Sequence, residues 1–170
     1  EKISDIKFVL AGAPDYHSNK DGGVDKGRAL SPAPFDGRKL KKDFDLIGDP
    51  IRVVLGGMMI TSSEIKYFLN PIKSAKALFH VLRRVCRYII DRMRFSRGTE
   101  LSGGNAFLAA ALTSIRKFKI NLSTESTLRE LIIKDDRVTG AIIAHKASDV
   151  RVKAKYGVIL ATGGFAANPV

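Results

Sequence analysis

The sequence predicts an α+β fold, in which helices are followed along the chain by an antiparallel β ribbon. Apolar residues recur at three- and four-residue steps over residues 78–93, the spacing of one long amphipathic helix. Alternating segments flank the polar turn Lys-Asp-Asp at 134–136, which predicts a hairpin, and residues 149–155 add a third strand. The run Val-Ile-Leu-Ala at 158–161 is apolar throughout, which is typical of a strand covered on both faces. This last strand is expected to belong to another kind of sheet.

The N-terminal third is rich in residues that break helices and strands. Residues 6–11 predict a short strand, and residues 12–50 then hold four of the six prolines and six of the 15 glycines. Such a stretch is either an ordered binding loop or a disordered linker. We favour the ordered loop because it contains large side chains that a core can bury, namely Tyr16, Phe35, Leu40, Phe44, Leu46 and Ile47. Residues 51–60 predict a strand that bends at two glycines.

Two helices are expected in the middle of the chain. Asn-Pro at 70–71 predicts the start of the long helix, with the asparagine as N-cap. We expect its apolar stripe to pack on the core, with Cys86 as a small core residue, and its arginines to lie in solvent. A basic helix of this kind also fits a membrane surface or RNA, and that alternative stays open. Residues 98–118 begin with a Gly- and Ser-rich turn and run into a second predicted helix, which we expect to be buried on most of its circumference.

Charge is the most unusual feature of the composition. The chain has 29 lysines and arginines against 17 acidic residues, a net charge of +12, and seven of the basic residues fall within residues 73–94. Such an excess favours polyanions as partners. Only 8% of residues are aromatic, however, and the aromatic-and-basic pattern of an RNA-binding sheet is absent. We therefore expect no specific nucleic-acid partner.

Several classes of site are excluded by the residues. No apolar run reaches the length of a transmembrane segment. The single cysteine excludes an internal disulfide and favours a reducing, cytoplasmic location. The three histidines lie far apart, and no cluster has metal-ligand spacing, so no metal site is predicted. Ser-Gly-Gly-Asn at 102–105 precedes a helix, where an anion can bind, although a plain helix start is the simpler interpretation.

Six motifs carry a resemblance over essentially the whole chain. They are, in order, PDYHSNKDGG, GRALSPAPFDGR, GGMMI, RGTELSGGNAFLAAAL, RVTGAII and GVILATGGFAAN. Together they resemble the FAD-dependent fumarate reductase/succinate dehydrogenase flavoprotein family. PAPFDGR and GGMM are most similar to its 3-ketosteroid dehydrogenase-like branch.

The resemblance implies a domain organisation. Residues 1–97 would form a loop-rich capping domain, the lid over the substrate, together with its entry. Residues 98–170 would return to the FAD-binding α/β domain through a helix and the β ribbon. The chain then resembles an internal fragment, which needs the remaining N- and C-terminal parts of the same polypeptide and is expected to be inactive alone.

The same resemblance implies FAD as the cofactor and a set of site residues. Tyr16, in the PDY motif, is similar to a tyrosine near the active site and is the candidate catalytic residue. Leu128 matches a position whose backbone meets the adenine. The remaining candidate cofactor contacts follow the last strand and are Ala161, Thr162, Gly163 and Gly164.

The implied function is that of an oxidoreductase. Hydride would pass between flavin and a carbon next to a carbonyl, on a small-molecule substrate of the ketosteroid or enone class. Fumarate reductase or succinate dehydrogenase activity on a dicarboxylate is the alternative within the family. A basic module that binds nucleic acid or a membrane surface is the alternative of another class.

Overall fold

The structure is a computed structural model that describes residues 4–25, 27–50 and 56–163 of the chain. The chain divides into two compact units, Glu1–Ile120 and Asn121–Val170. Helices and antiparallel strands are both present, which confirms the mixed α+β class. Within the described residues, no helix has the length and apolar character needed to cross a membrane.

The N-terminal unit combines two short antiparallel strand pairs with three α-helices. Its strands are β1 Phe8–Leu10 with β2 Leu30–Pro32, and β3 Phe35–Asp36 with β4 Glu100–Leu101. Its α-helices are α1 Ile65–Leu69, α2 Ala75–Arg92 and α3 Gly103–Lys117. Two 3-10 segments, Gly37–Leu46 and Pro71–Lys73, complete the unit.

The described part of the proline- and glycine-rich stretch supplies much of the core, as expected, but Tyr16 and Leu46, two of the large side chains expected to be buried, are exposed. Leu40, Phe44 and Ile47 are buried from this stretch, and Phe44 is only 1% exposed. They pack against Leu101 from β4 and the alanine-rich face of α3. Because the segment buries these large side chains, short strands and one 3-10 segment are enough regular structure to hold its shape.

The long helix α2 packs with the opposite face from the one that its apolar stripe predicts. Leu82 and Ile89, in the middle of that stripe, are 53% and 57% exposed. Arg84 and Asp91, on the other side of the helix, are each only 3% exposed. The expectation of a buried apolar stripe and solvated arginines is therefore wrong, and Cys86 is exposed instead of buried.

Ion pairs explain this orientation of α2. Arg84 Nε lies 3.1 Å from Glu64 Oε1, its Nη1 pairs with Glu100, and its Nη2 donates to the Met59 carbonyl at 2.5 Å. We call Arg84, Glu64 and Glu100 the Arg84 cluster. A buried arginine without such partners would be strongly disfavoured, so the carboxylates allow this face to pack inward.

Two more polar contacts hold the same face of α2. Arg87 donates to Asp36 Oδ1 at 2.9 Å. Asp91 accepts hydrogen bonds from the Thr99 backbone N–H at 3.0 Å and from its hydroxyl at 2.6 Å. The strand pair β3–β4 therefore meets α2 through charged and polar side chains at successive turns of the helix.

The start of α2 also differs from the prediction. Asn70 and Pro71 begin only the short 3-10 segment, and α2 starts four residues later behind Ser74. The Ser74 hydroxyl accepts a hydrogen bond from the Ala77 backbone N–H at 3.1 Å, so Ser74, and not Asn70, is the N-cap of α2. Residues 56–60 form a turn and a single bridge where the sequence predicts a strand, and residues 51–55 lie outside the described part.

The C-terminal unit contains a three-stranded antiparallel ribbon in the order β5–β6–β7. Its strands are Ser126–Lys134, Arg137–His145 and Ser148–Lys153. Asp135 and Asp136 join β5 to β6 with φ of 50° and 55°. A two-residue turn with both φ values positive matches the twist of the flanking strands, and aspartate tolerates that conformation. The predicted hairpin and third strand are confirmed.

The predicted last strand, residues 158–161, is not a strand in the structure. Ile159 and Leu160 are 93% and 56% exposed. A strand needs a neighbouring strand to satisfy its backbone hydrogen bonds. None of the described strands of this unit pairs with residues 158–161. Apolar character alone therefore does not make it a strand.

We predict that Arg84→Ala lowers the free energy of unfolding by roughly 3 kcal/mol, because it removes the buried cation that Glu64 and Glu100 share and leaves Glu100 only Arg87 Nε at 3.5 Å. The neighbouring exposed residue provides the control, since Arg83→Ala should change it by less than about 0.5 kcal/mol. Urea denaturation of both variants measures the difference. Equal midpoints for the two variants would show that the cluster does not determine how α2 packs.

Candidate functional site

A cavity of about 620 Å³ lies in the N-terminal unit, where several of its elements end. Its lining comes from β1 and the residues after it, from β2 and the loop that follows, from the segment before α1, and from the start of α3. The lining residues are 9–13, Ser31, Pro32, Pro34, 60–63, Ser102 and Gly103. A cavity of this size is large enough for a small organic substrate.

Hydrogen bonds to backbone carbonyls fix two walls of the cavity. The β1–β2 pair continues as the Ala11 N–H donates to the Ala29 carbonyl at 2.8 Å. At the start of α3, Ser102 makes no side-chain cap, and its hydroxyl donates to the Ile60 carbonyl at 3.4 Å. Gly103 then has φ of 55°, which glycine adopts without strain.

Glu64 fixes the wall formed by residues 60–63. Its Oε2 accepts from the Thr61 backbone N–H at 2.8 Å and from the Thr61 hydroxyl at 2.9 Å. Its Oε1 lies 3.0 Å from His80 Nε2 and 3.1 Å from Arg84 Nε. The Arg84 cluster is thereby connected to the cavity wall.

These contacts lower the pKa of Glu64. Burial acts in the opposite direction and is the largest single effect, but it is outweighed. The Thr61 N–H, the Arg84 guanidinium, the Thr61 hydroxyl and His80 all favour the ionised carboxylate. Glu64 is therefore a charged anchor for Thr61 at neutral pH.

The cavity itself is uncharged. Among the described residues that line it, the polar side chains are all hydroxyls, from Ser31, Thr61, Ser62, Ser63 and Ser102. Two buried arginines of this unit bind elsewhere, Arg84 in its cluster and Arg97 to the Ile47 carbonyl and to Asp49. The lining therefore suits an apolar molecule with a few hydrogen-bonding groups.

Tyr16, the candidate catalytic residue, lies on a turn, and its side chain is fully exposed. The loop around it is held by Asp15, which pairs with Arg28 and accepts from the Val24 N–H at 3.2 Å. The hydrogen bond from Arg28 lowers the pKa of Asp15. The tyrosine ring is not part of the cavity lining, whose nearest residue along the chain is Ala13.

The candidate cofactor contacts lie in the C-terminal unit. Among the described strands, β5 is at the edge of the ribbon, so one row of its backbone donors and acceptors, around Leu128, is outside the ladder. The register of β5 against β6 shifts between Leu128 and Glu130. Ala161, Thr162 and Gly163 are exposed.

These residues fit a dinucleotide cofactor. A free strand edge offers the adenine hydrogen-bonding groups, and small exposed residues let a phosphate or a ring approach the backbone. Gly163 has φ of 79°, a conformation that residues with a Cβ rarely adopt. Gly164 lies outside the described residues.

Sequence reasoning did not identify Thr61 and Glu64 as site residues. The signal is present as Thr-Ser-Ser-Glu at 61–64, the spacing of a capping box. In the structure the Glu64 side chain reaches back to the Thr61 backbone N–H, as in that motif. The pairing of Glu64 with Arg84, twenty residues away, has no comparable local signal.

Comparison with known proteins relates the chain to flavoenzymes. The FAD binding domain family matches residues 15–169. The 4-oxocyclohex-2-ene-1-carboxylate 5-dehydrogenase of Sinomonas cyclohexanicum is 34% identical over 99% of this chain. The 3-oxosteroid 1-dehydrogenase of Comamonas testosteroni is 28% identical over 94% of it. The chain spans 29% of the length of each of these relatives.

A solved structure shows the same fold. It is the crystal structure of 3-ketosteroid delta1-dehydrogenase from Sterolibacterium denitrificans in complex with 1,4-androstadiene-3,17-dione. The TM-score is 0.75 at 22% sequence identity, over 95% of this chain and 30% of that chain.

We predict that the stability of the protein falls as the pH drops below about 4.5, in part through Glu64. Because the folded-state pKa of Glu64 lies below its ordinary value of 4.5, its contribution is present above that value. The contribution is lost as the pH falls through the folded-state pKa. Glu64→Gln should therefore show a smaller loss of unfolding free energy between pH 7 and pH 3, measured by urea denaturation.

Glu130→Gln is the matched control for this pH effect, because Glu130 is an exposed carboxylate on β5. Its pH dependence should follow that of the unmodified protein. If Glu64→Gln also follows the unmodified protein, Glu64 is not the anchor that we describe.

Proposed function

Because the chain belongs to the FAD binding domain family, we propose that it is part of an FAD-dependent oxidoreductase acting on an enone or ketosteroid. The resemblance to FAD-dependent flavoproteins that its motifs indicate is confirmed by the family match, and FAD is the cofactor of that family. Two relatives are named as dehydrogenases of a cyclohexenone carboxylate and of 3-oxosteroids. The reaction we propose is hydride transfer between flavin and a carbon next to a carbonyl.

The uncharged cavity is the observation that favours this substrate class. An enone or steroid ring is apolar with one or two carbonyl groups, which hydroxyl side chains and the first N–H groups of α3 can bind. A dicarboxylate, the substrate of the alternative activity, needs cationic side chains around both carboxylates. The described lining supplies none, and Arg84 and Arg97 are engaged inside the unit.

The cofactor would be held in part by the C-terminal unit. We propose that the Leu128 backbone binds the adenine and that Ala161, Thr162, Gly163 and Gly164 lie against the cofactor. When bound, FAD supplies the hydride chemistry, and the protein supplies position and exclusion of water. The flavin content of the protein from the complete gene is read from its visible absorption. It should fall in Gly163→Val, which adds a side chain against the cofactor. It should persist in Leu128→Ala, because only the backbone of this residue is proposed to bind. Loss of flavin in both variants, or in neither, would argue against these contacts.

Tyr16 is proposed as a proton donor or acceptor for the substrate. An exposed tyrosine on an anchored loop is accessible to a ligand, and its hydroxyl can move a proton at a carbonyl. Tyr16→Phe should then reduce kcat by roughly a hundredfold or more. Tyr156→Phe is the matched control because Tyr156 is 91% exposed and has no proposed role. Similar kcat values for the two variants would show that Tyr16 does not transfer a proton in the reaction.

We also propose the division into a capping part, residues 1–97, and a part that returns to the FAD domain, residues 98–170. Most of the cavity lining lies in the first part, and the candidate cofactor contacts lie in the second. Other segments of the same polypeptide would complete the site. Hydrogen exchange in the protein from the complete gene tests this division. Substrate should protect the first part and FAD the ribbon of the second, and the reverse pattern would contradict it.

We predict that Ala11→Phe, which places a ring in the cavity, lowers kcat/KM for a 3-oxosteroid by about tenfold or more. The loss should be smaller for a single-ring cyclohexenone, because the smaller substrate needs less room. Dye-linked turnover of the protein from the complete gene measures both values.

Ala29→Phe is the control, since Ala29 is exposed and outside the cavity lining. Its kcat/KM should match that of the unmodified protein. Turnover of fumarate or succinate, with none of either enone, would contradict the proposed substrate class and favour the dicarboxylate alternative.

A further inference from the structure

Glu64 determines the direction in which the Thr61 hydroxyl donates. Its Oε2 accepts from the Thr61 backbone N–H at 2.8 Å, and the same oxygen lies 2.9 Å from Thr61 Oγ1. Its Oε1 lies 3.1 Å from Arg84 Nε. A carboxyl group that receives a backbone N–H and faces a guanidinium is ionised and has no proton to donate. The Thr61 hydroxyl therefore donates to Glu64, and only its lone pairs remain for another partner.

The direction of that hydrogen bond determines the next one. Ser63 Oγ lies 3.0 Å from Thr61 Oγ1. Because a hydroxyl has one proton and Thr61 has used its own, the Ser63 hydroxyl is the donor in this contact. Each hydroxyl then has its proton engaged and lone pairs left over. Both residues line the cavity, and we call Thr61 and Ser63 the acceptor pair.

The contacts that set this direction all lie within the N-terminal unit. Glu64 and the acceptor pair belong to the segment before α1, and Arg84 is on α2. Thr61 and Glu64 are close along the chain, so the hydroxyl and its acceptor are brought together locally. The orientation of the acceptor pair therefore depends on side chains that the chain itself supplies.

We propose that the acceptor pair makes the cavity selective for an enone or ketosteroid that carries a hydroxyl group besides its ring carbonyl. The inference rests on the proposed function and narrows its substrate class. A substrate hydroxyl can donate to Thr61 and Ser63, whereas an oxo or carboxylate group in the same place would set acceptor against acceptor. The ring carbonyl is left to the hydroxyls of Ser31 and Ser62 and to the first N–H groups of α3.

Turnover of four steroids by the protein from the complete gene tests the proposal. All four share a 4-en-3-one ring, and they carry either a hydroxyl or an oxo group, at carbon 11 or at carbon 17. At one of the two positions, the hydroxyl compound should have a KM roughly tenfold lower than its oxo partner, which is the effect of one hydrogen bond. The kcat values should be similar, because a group remote from the reacting carbons binds equally in the ground state and the transition state.

Thr61→Val removes the lone pairs and nearly keeps the shape of the side chain. The KM of the preferred hydroxyl steroid should rise by roughly tenfold, so that the preference disappears, and Thr61→Ser should retain the preference. In both variants the backbone N–H of residue 61 can still donate to Glu64, so the wall should persist, and circular dichroism checks the fold. Ser63→Ala, a change at an exposed residue, should weaken the same preference.

Thr113→Val is the matched control. The Thr113 hydroxyl donates to the Ala109 carbonyl at 2.9 Å within α3, and Thr113 is outside the cavity lining. The same change of side chain should therefore leave the preference for the hydroxyl steroid as it is in the unmodified protein.

Two results would overturn the inference and leave the proposed function in place. The first is turnover with equal KM values for the hydroxyl and oxo compounds at both positions. The second is a preference that Thr61→Val and Thr113→Val leave equally unchanged. Absence of turnover with all four steroids would instead contradict the proposed function, and the inference would fail with it.

Discussion

The burial of Arg84 determines much of the N-terminal unit. A guanidinium that is 3% exposed needs anionic partners, and the chain supplies Glu64 from the segment before α1 and Glu100 from β4. Because Arg84 must reach both carboxylates, the polar side of α2 faces the interior of the unit. The apolar side is then left exposed, which is the opposite of what an amphipathic helix does in most globular proteins.

The same cluster also supports the cavity. Glu64 binds Arg84 through one oxygen and Thr61 through the other, so the position of α2 and the shape of the wall at residues 60–63 depend on one carboxylate. Arg84 and Glu64 are not part of the cavity lining, in which hydroxyl and apolar groups of the described residues face the cavity. A charged frame around an uncharged interior supports our proposal of an apolar carbonyl substrate over a dicarboxylate.

The sequence predicts well those features that depend on neighbouring residues. The hairpin at Asp135 and Asp136 follows from local turn chemistry, and the structure contains it. The inward face of α2 does not follow, because Arg84 pairs with residues twenty positions before it and sixteen after it. Periodicity identifies the apolar stripe but does not reveal what the opposite side can bind. The segment 158–161 is apolar enough for a strand, yet the described ribbon gives it no partner.

The most direct test of the α2 orientation uses Cys86, the single cysteine, which lies on the apolar side of α2 and is exposed. A disulfide reagent that releases a coloured product when it reacts with a free thiol is added to the native 170-residue chain and to the same chain in denaturant. We expect the native chain to be labelled completely, at a rate close to that of the denatured chain. Labelling that occurs only after denaturation would mean that the apolar stripe is buried and that the Arg84 cluster does not orient the helix.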